Sequence, residues 1–139
     1  MNETNSQSDI RNRTALPQNT TILVVEDNVA NFVLIARMLG FMGIHCEWKT
    51  SGYEVVEYAD ALPNLDLILM DIQLPEVSGL EVTKWIKEDD NLRSIPVIAV
   101  TAFAMKGDEE KIREGGCEAY IAKPISVANF LQTVERFLN

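Results

Sequence analysis

Five short apolar runs, each followed by a stretch with helical spacing, constrain this chain more than any other feature. The runs are Thr21-Ile22-Leu23-Val24-Val25, a loosely alternating 44–49, Leu65-Asp66-Leu67-Ile68-Leu69-Met70-Asp71, Ile95-Pro96-Val97-Ile98-Ala99-Val100 and Ala119-Tyr120-Ile121-Ala122. The third is bounded by Pro63-Asn64 and by Pro75. Apolar runs of this length with turn residues at both ends read as strands, and near-continuous ones as strands buried on both faces. Between them the spacing becomes helical. Asn28 is placed to cap a helix carrying Val29, Phe32, Val33, Ile35, Ala36 and Leu39, with Gly40 to Gly43 as its stop. Ser51 opens a helix over Val55, Val56, Ala59 and Leu62. Ser78 and Glu81 form a capping box ahead of Leu80, Val82, Trp85 and Ile86. A charged loop is expected over 87–93, then a polar helix over 104–114 ended by Gly115-Gly116. Ser126 opens a last helix with Val127, Phe130, Leu131, Val134 and Leu138.

Strand and helix therefore alternate five times. Such a (βα)5 pattern implies an α/β fold with a parallel sheet covered on both faces by right-handed crossovers. The expected architecture is a flavodoxin-like, doubly wound, five-stranded sheet of strand order 2-1-3-4-5. Residues 1–19 are polar and lack an apolar period, so they read as a disordered N-terminal tail, with the folded domain spanning 20–139. A composition of 47% hydrophobic and 24% charged residues supports a single core of this size.

Charge and motif then narrow the function. Twelve basic against 21 acidic residues give a net charge of −9. That argues against nucleic acid and against anionic membranes as partners. No apolar run has the length of a membrane span, and the N-terminus lacks the apolar centre of a signal peptide. Cys46 and Cys117 have neither metal-ligand nor redox spacing and are expected to be reduced and inert. The cytoplasm is the expected compartment.

The strand ends carry the chemistry. Strand one ends on Glu26-Asp27, strand three on Asp71, strand four on Thr101, and strand five on Lys123. Parallel strands bring these groups to one edge of the sheet, where open α/β folds bind ligands. Three carboxylates gathered there repel one another until a proton or a cation offsets the charge. Hard oxygen ligands with open positions suit Mg²⁺, with Asp27 and Asp71 direct ligands, Glu26 acting through water, and the Gln73 backbone carbonyl completing the set. A carboxylate is also a competent nucleophile toward phosphorus. In that reading Asp71 becomes an aspartyl phosphate, while Lys123, the Thr101 hydroxyl and nearby backbone N–H groups hold the phosphoryl oxygens. None of these residues is diagnostic alone. Acidic pairs commonly precede helices, threonines commonly end strands, and lysines are usually solvated.

Val24-Val25-Glu26-Asp27-Asn28, Leu69-Met70-Asp71-Ile72-Gln73-Leu74-Pro75 with Gly79, Val100-Thr101-Ala102 and Lys123-Pro124 together resemble the response-regulator receiver domain of two-component signalling. The likeness extends from Thr21 to Asn139 and is strongest toward single-domain cell-polarity regulators and toward receiver modules of hybrid kinases. It implies a phosphoryl group taken from a sensor histidine kinase or histidine phosphotransferase, a requirement for Mg²⁺, autodephosphorylation, and output through a downstream effector protein. It further implies that Thr101 moves toward the phosphoryl group, that Tyr120 turns inward behind it, and that the Lys123–Pro124 bond is cis. Gln73 and Phe103 fall where a receiver admits or excludes attacking water. Three other readings share parts of this pattern. An aspartyl-phosphate hydrolase of the haloacid-dehalogenase type usually has a second Asp two residues after its nucleophile, where this chain has Gln73. A receiver fold serving only as an interaction module would not need Asp71, Asp27, Thr101 and Lys123 together. A flavodoxin-like FMN carrier would need a phosphate-cradling loop after strand one, and 26–28 offers none.

Overall fold

The computed structural model describes residues 20–138; the tail read over 1–19 lies outside them. Five strands, β1 (Thr21–Val25), β2 (His45–Lys49), β3 (Leu65–Asp71), β4 (Val97–Thr101) and β5 (Ala119–Ala122), form one sheet of order β2-β1-β3-β4-β5. Every neighbouring pair is parallel. The connecting helices are α1 (Val29–Phe41), α2 (Val55–Asp60), α3 (Gly79–Glu88), α4 (Lys106–Glu114) and α5 (Val127–Leu138). The architecture is the doubly wound sheet that the alternation of runs implies.

The pleat divides the core. On one face Ile22, Val24, Leu67, Leu69, Ile98, Val100 and Ile121 pack against Ile35 and Leu39 of α1 and Phe130 and Val134 of α5. On the other, Leu23, Val25, Ile68, Met70, Val97 and Ala99 pack against Val55 and Ala59 of α2, Val82 and Ile86 of α3, and Ile112 of α4. Side chains alternate between the layers from Ile22 in β1 and Leu67 in β3 onward, past the register shift at Asp66, so a one-residue slip there would transfer a whole set to the wrong layer.

Local structure departs from the sequence reading in several places. Helix α1 is apolar almost all round, with Arg37 its one charged residue, so spacing did not identify the buried stripe. Ile35, Met38 and Leu39 are buried, whereas Val29, Val33 and Phe41 face solvent. The segment after Ser51 begins with one 3₁₀ turn, Gly52–Glu54, before α2. A Cβ on Gly52 would lie 2.5 Å from the Val82 side chain, so the turn presses directly onto α3. Ser78 does cap α3, but its hydroxyl accepts from the Leu80 N–H at 3.1 Å rather than closing the expected box with Glu81. Helix α3 also continues through Lys87, which is not a loop residue. On the edge strand β2, His45 is paired with Glu47, which also accepts from the Tyr58 hydroxyl.

Candidate functional site at the carboxyl ends of the strands

Register assembles this site. β1 has β2 on one side and β3 on the other, so the chain reverses its winding direction there. The β1–β3 ladder ends with Val25 opposite Met70, which sets Glu26 beside Asp71. The β3–β4 ladder pairs Asp71 with Val100, and the β4–β5 ladder pairs Thr101 with Ala122. The Lys123 N–H then donates to the Thr101 carbonyl at 2.8 Å, carrying the lysine to the same edge. The Lys123–Pro124 bond is cis.

Carboxylate oxygens of Glu26, Asp27 and Asp71 all lie within 4.8 Å of one another. Glu26 and Asp71 are buried, and Asp27 is exposed. Lys123 Nζ stands 3.3 Å from Asp71 Oδ2 and 3.5 Å from Glu26 Oε1. One cation thus faces a group of three acids. Burial, together with a hydrogen bond to Asp71 and its charge, pushes the Glu26 carboxyl up to about 7; the Asn28 N–H and Lys123 pull the other way. The Asn28 N–H reaches Glu26 Oε2 at 3.1 Å, while Oε1, although buried, accepts no hydrogen bond among the described residues. A buried carboxylate oxygen without a donor is costly unless a cation or a proton sits there. The donor set consists of hard oxygens, which fits Mg²⁺ better than a softer ion.

Backbone and side-chain contacts hold each group in place. Asn28 caps α1 by accepting from the Asn31 N–H at 2.9 Å, which fixes the turn immediately after Asp27. Trp48 stacks on Phe32 with ring centroids 4.0 Å apart and donates to the Glu26 carbonyl at 2.7 Å. Nothing in the local sequence announces this bond to Glu26, a residue 22 positions away. Gly79 shows the closest approach. A Cβ there would stand 2.2 Å from the Asp71 carbonyl oxygen, so only glycine lets the start of α3 pass the end of β3. The Gly79 N–H bonds the Ile72 carbonyl at 3.0 Å and closes that loop.

Around Asp71 and Thr101 the polar contacts are dense. The Gln73 N–H donates to Asp71 Oδ1 at 2.9 Å. The Gln73 side chain crosses to β4, donating from Nε2 to Thr101 Oγ1 at 2.9 Å and accepting from the Ala102 N–H at 3.1 Å. The sequence marked Gln73 for its carbonyl and its position, not for this bridge. Tyr120 is half-buried against the α3–α4 side of the core. A hydrogen bond with Glu109 of α4 raises its phenol above the usual range, with burial and the Glu109 charge adding to the effect. Phe103 is exposed and stands beyond Thr101 at the mouth of the site.

Residues 22–135 match the response regulator receiver domain family. The chain is 56% identical over 126 residues to the polar-differentiation response regulator DivK of Brucella anthropi, a match that covers 85% of this chain and 95% of that protein. Among solved structures it is similar to the receiver domain of a sensor histidine kinase from Pseudomonas aeruginosa, crystallised with a magnesium ion coordinated in its active-site cleft. Identity there is 35%, with a TM-score of 0.78 over 86% of this chain and 98% of the other. It is also similar, at 26% identity and a TM-score of 0.78, to a chain from the co-crystal of the Saccharomyces cerevisiae histidine phosphotransfer protein Ypd1 with the receiver domain of Ssk1, covering 88% of this chain and 90% of that one. No helix among the described residues is long and apolar enough to cross a membrane. Sequence, fold and family model agree: the chain belongs to the response-regulator receiver family of two-component signalling and is similar to DivK over most of its length.

Proposed function

We propose that this protein is a phosphorylation-driven switch whose phosphoacceptor is Asp71. An Asp71 carboxylate oxygen attacks the phosphorus of a phosphohistidine on a sensor kinase or a histidine phosphotransferase. The P–O bond forms, the P–N bond breaks, and the electron pair leaves with the imidazole. Lys123, the Thr101 hydroxyl and backbone N–H groups beside them receive the phosphoryl oxygens. Glu26, Asp27, Asp71 and the Gln73 carbonyl would hold Mg²⁺, which, when bound, neutralises charge on the acids and on the phosphoryl group. Hydrolysis of the acyl phosphate returns Asp71 to its starting state. Tyr120, in contact with α4, carries the change in Thr101 outward to an effector protein.

The observation that carries this reading is the pairing of crowded carboxylates with a single lysine: three acids within 4.8 Å, Lys123 between two of them, and a buried Glu26 oxygen that meets the Lys123 charge at 3.5 Å but accepts no hydrogen bond among the described residues. One lysine against three acids leaves negative charge for a second cation to offset. The exposed apolar side chains in the first turns of α1, Val29 and Val33, follow closely on Asp27 and offer a partner's histidine-bearing segment a surface to lie on. The Ypd1 complex with a receiver domain is the precedent for a partner of that chemistry.

The test is intact-protein mass spectrometry after incubation with acetyl phosphate, in Mg²⁺ and in chelator, on the wild type and Asp71→Asn. One added phosphoryl group that needs Mg²⁺ and is absent from Asp71→Asn is the expected result. Addition that persists in Asp71→Asn would move the acceptor elsewhere.

A further inference from the structure

The Thr101 hydroxyl has no hydrogen-bonding capacity left. A hydroxyl offers one donor and two acceptor sites. Here Oγ1 accepts from Gln73 Nε2 at 2.9 Å and from the Phe103 N–H at 2.9 Å, and it donates to the Phe103 carbonyl at 3.3 Å. The neighbouring Ala102 N–H is also occupied, by Gln73 Oε1 at 3.1 Å. The orientation of the carboxamide is not a free choice. A backbone N–H can only donate, so the amide oxygen must face Ala102 and the amide nitrogen must face Thr101. One side chain, 28 residues away in sequence, therefore engages the Thr101 hydroxyl oxygen and the Ala102 N–H at the end of β4, while the Thr101 O–H is held by the Phe103 carbonyl. The backbone of the same residue is bonded to Asp71 Oδ1.

We propose that the Gln73 carboxamide is a latch that a phosphoryl group on Asp71 must displace. It holds the Thr101 hydroxyl and the Ala102 N–H in the resting arrangement; its departure frees the Ala102 N–H and lets the Thr101 hydroxyl, no longer fixed from the Gln73 side, turn its O–H from the Phe103 carbonyl toward the phosphoryl group. The inference rests on Asp71 being the phosphoacceptor. It makes Gln73 a positioning residue, acting through Thr101 and Ala102. The displaced carboxamide has somewhere to go. A cavity of about 140 Å³ lies against Gln73, Thr101 and Phe103 and is walled on the far side by Asp108 and Lys111 of α4, which offer an acceptor and a donor. Because that cavity lies under α4, the swing would also change what α4 packs against.

The sign of the effect separates a latch from a structural support. Removing a support weakens binding at the site, whereas removing a latch tightens it. The decisive variant is Gln73→Met, which keeps length and bulk but neither donates nor accepts usefully; Gln73→Ala serves if Met misfolds. Two readouts on the full chain are needed: hydrogen exchange of the Ala102 amide with no ligand present, and the beryllofluoride concentration that half-saturates the protein in Mg²⁺. We expect Ala102 exchange to accelerate in the variant and half-saturation to fall about tenfold, the scale of one to two released hydrogen bonds. Unchanged Ala102 protection, or beryllofluoride binding that is equal or weaker, would overturn the latch. Failure of the wild type to bind beryllofluoride while Ala102 responds to the substitution would instead overturn Asp71 as the phosphoacceptor, and the displacement step with it.

Discussion

The two edges of this sheet handle charge in opposite ways. At the carboxyl ends of the strands, three acids share one lysine, and a buried Glu26 oxygen faces that lysine at 3.5 Å without a hydrogen bond among the described residues. At the amino ends the side-chain charges reach partners. Lys87 Nζ, at the last turn of α3, bonds the Ile95 carbonyl at 2.9 Å, the Arg93 carbonyl at 3.3 Å and Glu118 Oε2 at 2.9 Å. The other Glu118 oxygen accepts from the Val97 N–H at 2.7 Å, so this clamp joins α3, β4 and the entry to β5. Asp66 sits where the β1–β3 register shifts and accepts from the Thr21 N–H at 3.1 Å. The same parallel topology thus produces one edge where polar groups close on each other and one where three acids crowd around a single lysine. The satisfied edge holds the strands in register; the unsatisfied edge depends on that register to keep Glu26 beside Asp71.

The largest expected difference between the edges is in pH dependence. The folded state holds the Glu26 carboxyl at about 7, well above its ordinary value of 4.5. Between those values the folded chain binds more protons than the unfolded chain. In chelator, stability should therefore be greatest below about pH 4.5 so far as Glu26 contributes, fall as pH rises toward 7, and level off above. The expected change is on the order of 2–3 kcal/mol by urea denaturation. Glu26→Gln should flatten the slope, and Mg²⁺ should restore stability at pH 8 far more than at pH 5. A slope that survives Glu26→Gln would place its origin elsewhere.

Breaking the satisfied edge should have a smaller effect of simpler form. Lys87→Met keeps the aliphatic stem but removes the charged donor from two carbonyls and from Glu118. Glu118 is substantially exposed, so solvent recovers part of the loss. A destabilisation of about 1–2 kcal/mol is expected, with no dependence on Mg²⁺. Loss of Mg²⁺ affinity in this variant would mean that the two edges are coupled through β4 more tightly than the clamp geometry implies.

The smallest effect, and the one of opposite sign, belongs to Asp71→Asn. Removing one of three crowded acids relieves repulsion but also takes a partner from Lys123, which stands 3.3 Å away. The net change in chelator should lie within about 1 kcal/mol of wild type, on the stabilising side. A loss of several kcal/mol would assign Asp71 to the framework rather than to the site.

Much of this molecule is written in local sequence. The five apolar runs, their spacing and the punctuation around them dictate strands, helices and a parallel sheet, because strand and helix periods are properties of neighbouring residues. Asn28 as the cap of α1 and Ser78 as the cap of α3 are equally local. So is the appearance of Glu26-Asp27, Asp71, Thr101 and Lys123 at strand ends, since parallel strands cannot deliver their ends to different edges. What the sequence left open involves residues far apart in the chain. Nothing near Lys87 announces that it continues α3 and reaches Glu118, 31 residues on. Nothing near Gln73 announces that its carboxamide spans to Thr101 and Ala102. Helix α1 is apolar on nearly every side, so only packing selected Ile35, Met38 and Leu39 for the core and left Phe41 in solvent. Sequence by itself determined which elements form and which chemical groups share an edge. Tertiary structure decided the register, the burial of Glu26 and the identity of each partner, because side-chain contact and desolvation exist only once distant segments are packed together.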